Sequence, residues 1–450
     1  MVLPYTGHCP IRRCMEHLIA PRTAMVMAET LSFSNVSVPL AQNINAADCD
    51  ITRPAPQVAT GMINEQLQSG TSLPPGIAVR GGLDSDLTHR VHAERPHAYR
   101  TPFARDGARI LHARAFRRLA GKTQVFTRIP GSYSGDHFRS RLTHTLEVTQ
   151  IARTVATALD LNTDLTEALA LVHDIGHPPF GHAGEKALDH ALRAWGLGFD
   201  HNLHALRIVS WFEERYAAFR GLNLTLGVRE GIIKHSRDYD PRVHPELAEY
   251  FLDLRPPLEA QLIDLADEIA YLTADLDDGM DSGLLGLEQV RAGVTLFRAC
   301  YDPVLREYPD APPRLSTSES LKRMMNALVT DLIREIGKRV AAGNIVSLGQ
   351  VREVHDRLAA FSPAMESERA AAKTFLYANM YNSPGMEEDH LHAAKVVEGL
   401  FGALIADPAL LPADHRAQIP TEGLARTVAD YIAGMTDNFI EQLWARVAGG

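Results

Sequence analysis

From about Thr101 to the end of the chain, apolar residues recur at three- and four-residue spacing in one segment after another, while strand-like alternation is scarce. A chain patterned this way can bury its apolar faces only by packing helix on helix, so the expected fold class is all-α, a multi-helix bundle. The first periodic segment opens at Pro102. Others fall near 141–160, 163–174, 183–195, 202–219, 225–235, 257–276, 288–306, 318–341, 366–380, 388–405 and 422–446. The Gly/Ser/Pro-rich stretch 128–138 reads as a loop, and 308–318 and 383–389 read as connectors. These breaks predict a core over 76–310, with its chemistry within 139–277, and a further helical region over 311–450. Residues 1–75 lack a sustained period and are rich in Ala, Pro, Ser, Thr and Asn, which predicts a disordered extension. His8, Cys9, Cys14 and His17 lie inside it, at a spacing that matches no familiar zinc finger.

Composition removes several classes. With 45 Lys and Arg against 55 Asp and Glu, the net charge is −10, which disfavours a general coat for nucleic acid but not a local basic site. No apolar run reaches the roughly 18 residues needed to span a bilayer, so no membrane partner is expected. Four cysteines make no disulfide framework, which points to the reducing cytoplasm. The unusual count is 20 histidines, 11 of them between His112 and His244.

Those histidines coincide with carboxylates at intervals that invite a metal. His144 sits on one predicted helix, the adjacent pair His173 and Asp174 closes another 29 residues on, and Asp267 follows 93 residues later on a third. Two imidazoles and two carboxylates from different helices form a mixed nitrogen and oxygen site for a divalent cation. Such a set suits Mn, Fe, Co, Ni or Zn, and also Mg where phosphates complete the shell. Asp264, three residues before Asp267 on the same face, is an alternative ligand. His177 follows His173 by four residues, placing it to touch phosphate or to orient a ligand. His182 and Glu185 form a His–carboxylate pair suited to proton transfer. Arg141 shares a helix face with His144 and has the fork that fits phosphate oxygens. Tyr271 and Asp275 share the face of Asp267, and Lys234 with His235 offers a second cationic spot. His190 and His204 read as helix-surface residues, and Cys300 as a small buried hydrophobe. The run 275–281 lacks EF-hand ligand spacing and reads as the end of the helix bearing Asp267.

Five ordered words, AFRRLAGKTQVF, RLTHTLEV, HDIGHPPFGHAGE, FDHNLHALRIV and DLADEIAYLTADLDDG, resemble the deoxyguanosine triphosphate triphosphohydrolases among the HD-domain metal-dependent phosphohydrolases. The resemblance spans roughly 100–285, with a weaker echo in AAKTFLYANMY at 371–381. It implies hydrolysis of a deoxynucleoside triphosphate to a deoxynucleoside and tripolyphosphate. It implies Asp267 rather than Asp264 as the ligand, His201 at the phosphates, Gln124 near the 3′-hydroxyl, and Tyr271 with Asp275 beside the sugar. It further implies a homo-oligomer, and leaves room for a nucleotide or single-stranded nucleic-acid effector. Two other readings are an HD phosphohydrolase of nucleotide mono- or cyclic phosphates, and a nucleotide-sensing or nucleic-acid-binding protein without turnover. The sequence MYNSPGM lacks the basic and His residues expected after its Tyr, which leaves the preferred nucleotide open.

Overall fold

A computed structural model describes residues 72–82, 86–124 and 139–449. Among these the regular structure is helical, and β pairing is limited to isolated bridges such as Thr123 with Ser140. The helices that matter for the site are α1 (Pro102–Leu111), α2 (Arg114–Arg118), α3 (Arg141–Ala158), α4 (Thr163–Val172), α5 (Gly181–Arg193), α6 (His201–Arg207), α7 (Leu226–Lys234) and α8 (Leu258–Asp281). They are followed by α9 (Leu287–Gly293), α10 (Thr295–Glu307), α11 (Pro313–Ala342), α12 (Pro363–Leu376), α13 (Pro384–Ala406), α14 (Leu424–Ala433) and α15 (Asp437–Ala448).

Local chemistry sets where several of them begin. Ser140 caps α3 in a reciprocal box, its hydroxyl accepting from the Thr143 N–H while the Thr143 hydroxyl accepts from the Ser140 N–H. Asn162 caps α4, and the Asp200 carboxylate accepts from the N–H groups of Asn202 and Leu203 to start α6. These caps fix the helix ends that carry Arg141 and His201.

The apolar stripes then meet in two cores. In the larger, α3 packs on α4 and α8, burying Ile151, Val155, Leu165, Leu169 and Leu262, with Phe297 and Leu328 from α10 and α11 behind them. In the smaller, Leu188 and Leu192 of α5 pack against Val396 and Leu400 of α13, Val428 and Ile432 of α14 and Ile440 of α15. Each such side chain contributes about 2 kcal/mol by leaving water. Leu188 is fully buried, so Leu188→Ala would cost about 2–5 kcal/mol and loosen the seam between α5 and the C-terminal helices. Among the described residues no helix is long and apolar enough to cross a membrane.

Some expected segments are divided. The helix expected over 202–219 ends in a wide turn at Ile208–Phe212. There Glu213 is extended, and Gly221, at φ +75°, folds the chain back so that Leu222 N–H reaches the Val209 carbonyl. A Cβ at Gly221 would fall 2.4 Å from the Ser210 carbonyl oxygen, so only glycine closes this turn. The segment 288–306 breaks at the extended Val294, and 422–446 breaks between Ala433 and Asp437. Residues 383–389 are not a connector, because Pro384 occupies the first turn of α13, where a missing N–H costs nothing. The loop expected over 128–138 and the His8, Cys9, Cys14, His17 group lie outside the described residues, as does the extension expected over 1–75 except for 72–75. Leu73 corrects the end of that extension: it is buried in the larger core and its N–H bonds the Leu159 carbonyl.

Candidate active site

Helices α3, α4 and α8 converge where their predicted ligands lie. His144 Nε2 is 2.6 Å from Asp267 Oδ1, and His173 Nε2 is 3.6 Å from Asp174 Oδ1 and 4.0 Å from Asp267 Oδ1. His173 Nδ1 lies 2.7 Å from the Ala170 carbonyl, which fixes the proton on that nitrogen and leaves Nε2 as a free acceptor. That Nε2 is buried without a hydrogen-bond partner, which is costly unless a cation takes its lone pair. His144, His173 and Asp174 present ligand atoms within 4.8 Å of one another, with Asp267 against His144. These residues therefore fit a divalent cation. Asp264, three residues before Asp267, is exposed, whereas Asp267 is the carboxylate that meets His144.

Charge is balanced locally. Burial would raise the Asp267 carboxyl, but the bond from His144 and the charges of His144 and His173 outweigh it and hold it at about 2. Asp174 is likewise held well below the carboxylate range, burial being overcome by Arg141 and the neighbouring histidines. Arg141 Nη1 makes a buried 2.8 Å bond to Asp174 Oδ2. The fork expected to face phosphate thus also anchors the His-Asp pair.

A second group adjoins the first. His177 Nδ1 is 3.0 Å from Asp174 Oδ1, and its ring stacks on His201 with centroids 4.1 Å apart. Burial, then the charges of Arg141 and His201, push the His177 pKa well below normal, so the ring is neutral. Glu185 accepts from His201 at 2.8 Å and from the exposed His182 at 3.3 Å, orienting both rings rather than His182 alone. Gly176 allows α6 to come this close, since a Cβ there would sit 1.9 Å from the His201 carbonyl oxygen.

Beyond His182 opens a cleft of about 360 Å³, lined by Gln124, His182, Tyr271, Tyr377, Tyr381 and Asp389. Gln124 Oε1 is buried without a partner. Tyr271 stacks on Tyr381 at 5.8 Å, and the Tyr381 hydroxyl donates to Asp275. Burial pushes Asp275 up to about 7 despite that bond.

Two expectations are corrected. Lys234 does not offer its ammonium to the site: it is buried against Glu230 at 2.9 Å and the carbonyls of Tyr250 and Phe251, which use all three of its N–H groups. His235 is the nearer group, its ring edge-on to His173 at 6.3 Å and its pKa lowered by burial to about 3. His204 is not on a helix surface but buried, 3.3 Å from Asp430. His190 is exposed and pairs with Glu398, and Cys300 is buried, its thiol pushed up to about 12. Sequence reasoning assigned no role to Tyr377, Tyr381 or Lys373. Lys373 pairs with Glu268 at 2.8 Å and lies 6.0 Å from the Tyr271 ring centre. The tyrosines' four-residue spacing was the available signal.

Comparison with known proteins agrees with this geometry. Residues 141–272, which contain all four ligand candidates, match the HD domain, and residues 359–446 match the phosphohydrolase-associated domain. The chain is 45% identical over 366 residues to a deoxyguanosinetriphosphate triphosphohydrolase-like protein of Thiobacillus denitrificans, covering 81% of this chain and 95% of that protein. It is 47% identical over 354 residues to one of Bordetella pertussis, covering 78% and 90%. It is 43% identical over 351 residues to one of Geobacter sulfurreducens, covering 78% and 89%.

Proposed function

We propose, on the premise that the chain belongs to the deoxyguanosinetriphosphate triphosphohydrolase-like family, that it removes the whole triphosphate from a deoxynucleoside triphosphate. That membership and the HD match make the chain a metal-dependent phosphohydrolase of the HD class. The observation that carries the deoxynucleoside triphosphate reading is the junction of a His/Asp ligand set, with its orphaned His173 Nε2, and an aromatic cleft holding Gln124 and Tyr271.

In this reading His144, His173, Asp174 and Asp267 hold one divalent cation. When bound, that ion supplies a Lewis acid for a phosphoryl oxygen and lowers the pKa of water. The chain's own residues do the rest. Arg141 presents cationic N–H groups to phosphate from a position fixed by Asp174. Neutral His177 and the Glu185-held His201 face the phosphate oxygens as hydrogen-bonding groups. As a water oxygen bonds to the α-phosphorus and releases its proton to solvent, the bond to the 5′-oxygen breaks and His182, steadied by Glu185, gives that departing oxygen a proton. Tyr271, backed by Tyr381, forms the floor under the sugar, leaving no room for a 2′-hydroxyl, and Gln124 Oε1 accepts from the 3′-hydroxyl. A cytoplasmic homo-oligomer is the setting this reading favours.

The test is to incubate cation-loaded protein with each of the four deoxynucleoside triphosphates and identify the products. Deoxynucleoside with tripolyphosphate supports the reading. A nucleoside monophosphate with pyrophosphate, or turnover confined to nucleotide mono- or cyclic phosphates, rejects it.

A further inference from the structure

We infer that Asp437, the first residue of α15, is a positioning residue for this reaction: its carboxylate fixes the separation of the two segments that carry Gln124 and His182. The inference rests on the function proposed above and adds to it a role for the far C-terminal end of the chain. Asp437 Oδ2 accepts from the N–H of Thr123 at 2.8 Å and from the Thr123 hydroxyl, while Oδ1 accepts from the N–H of Phe180 at 3.0 Å. The first partner is next to Gln124 and the second is two residues before His182. These partners lie 314 and 257 residues away in sequence, yet Thr123, Gln124, Phe180 and His182 all line one cleft.

An acid in the first turn of a helix commonly does no more than complement the helix dipole. Here the cap is already supplied, since the Thr436 side chain accepts from the Phe439 N–H. The Asp437 carboxylate is turned outward, and its three hydrogen bonds all go to the catalytic segments. Its Phe180 bond falls where the backbone most needs holding: Phe180 is a non-glycine residue at φ +60°, directly before α5, and no side chain caps that helix. A conformation of this kind persists only where its surroundings determine it.

A second bond runs in parallel. The buried Lys122 ammonium donates to the His177 carbonyl and, at 2.9 Å, to that of Ala433, which ends α14. The break between α14 and α15 therefore holds 122–123 and 177–180 together from one side. The segment matching the phosphohydrolase-associated domain includes both Ala433 and Asp437, which gives that region a direct part in shaping the cleft.

The test uses full-length, cation-loaded protein, with rates expressed per bound cation. Asp437→Ala should keep wild-type cation content and helicity and lower kcat/KM for a deoxynucleoside triphosphate about 10- to 100-fold, the scale expected when reacting groups shift by about 1 Å. Asp437→Asn, which retains one acceptor oxygen, should fall between. Thr123→Val should cost several-fold alone but less than about 2-fold on top of Asp437→Ala, because the two act through one contact. Wild-type kcat and KM in Asp437→Ala, or full additivity with Thr123→Val, overturns the inference. If Asp437→Ala does not fold, Asp437→Asn and Thr123→Val decide in the same way, since each removes only part of the link. If the wild type leaves every deoxynucleoside triphosphate intact, the proposed function fails by itself, and amide exchange decides the positional claim. Loss of protection at Thr123 or at Phe180 in Asp437→Asn, with α3 and α8 unchanged, supports it, and unchanged protection at both overturns it.

Discussion

Arg141 and Asp174 form an ion pair at 2.8 Å with side chains only 3% and 6% exposed. Removing one partner of such a pair leaves a buried charge and costs about 3–5 kcal/mol. Arg141→Met should therefore lower the urea-unfolding free energy by about that much in cation-free protein. A bound cation would offset the unpaired Asp174, so the loss should shrink when the protein is loaded. An equal loss in both states would show that Asp174 does not face the ion.

The ligand set predicts a simple partition of effects. His173→Ala should abolish stoichiometric metal binding while leaving far-UV circular dichroism unchanged, because the ring sits at the end of α4 rather than in a core seam. Full metal content in this variant would remove His173 from the shell.

His182 and Glu185 should separate from the metal. His182→Ala should retain the ion and lose roughly 10²-fold or more in kcat. Glu185→Gln should lose at least as much, because Glu185 orients His201 as well as His182. A Glu185→Gln variant with wild-type turnover would reduce the contacts of Glu185 with His182 and His201 to packing.

Asp275 makes stability depend on pH. Its carboxyl titrates near 7 in the folded chain against an ordinary value of 3.8, burial being the cause. The folded state thus binds the proton more tightly, so this group's contribution is complete below about pH 4 and is lost as pH rises toward 7. The difference is on the order of 4 kcal/mol. In cation-free protein, Asp275→Asn should flatten that part of the stability profile measured by urea titration. An unchanged slope would assign it elsewhere.

Within each segment the candidate site was legible because the spacing there is local. His173, Asp174 and His177 fall within one turn and a stop. Arg141 precedes His144 by three residues, and Asp267, Tyr271 and Asp275 follow the helical repeat. What the sequence hid was long-range. Lys234 looked like a phosphate contact because nothing nearby reveals the carbonyls of Tyr250 and Phe251, and His204 looked exposed because Asp430 lies far along the chain. The divided helices have the same origin. Val294 breaks a strong period where Gly293 packs against the Phe375 ring, with no room for a Cβ.

The central claim, attack at the α-phosphorus of a 2′-deoxynucleotide, is tested most directly by chromatography of a dGTP digest run beside GTP. The account predicts deoxyguanosine and intact tripolyphosphate from dGTP, little turnover of GTP, and a narrowed gap between the two in Tyr271→Ala. Deoxyguanosine monophosphate with pyrophosphate would contradict it.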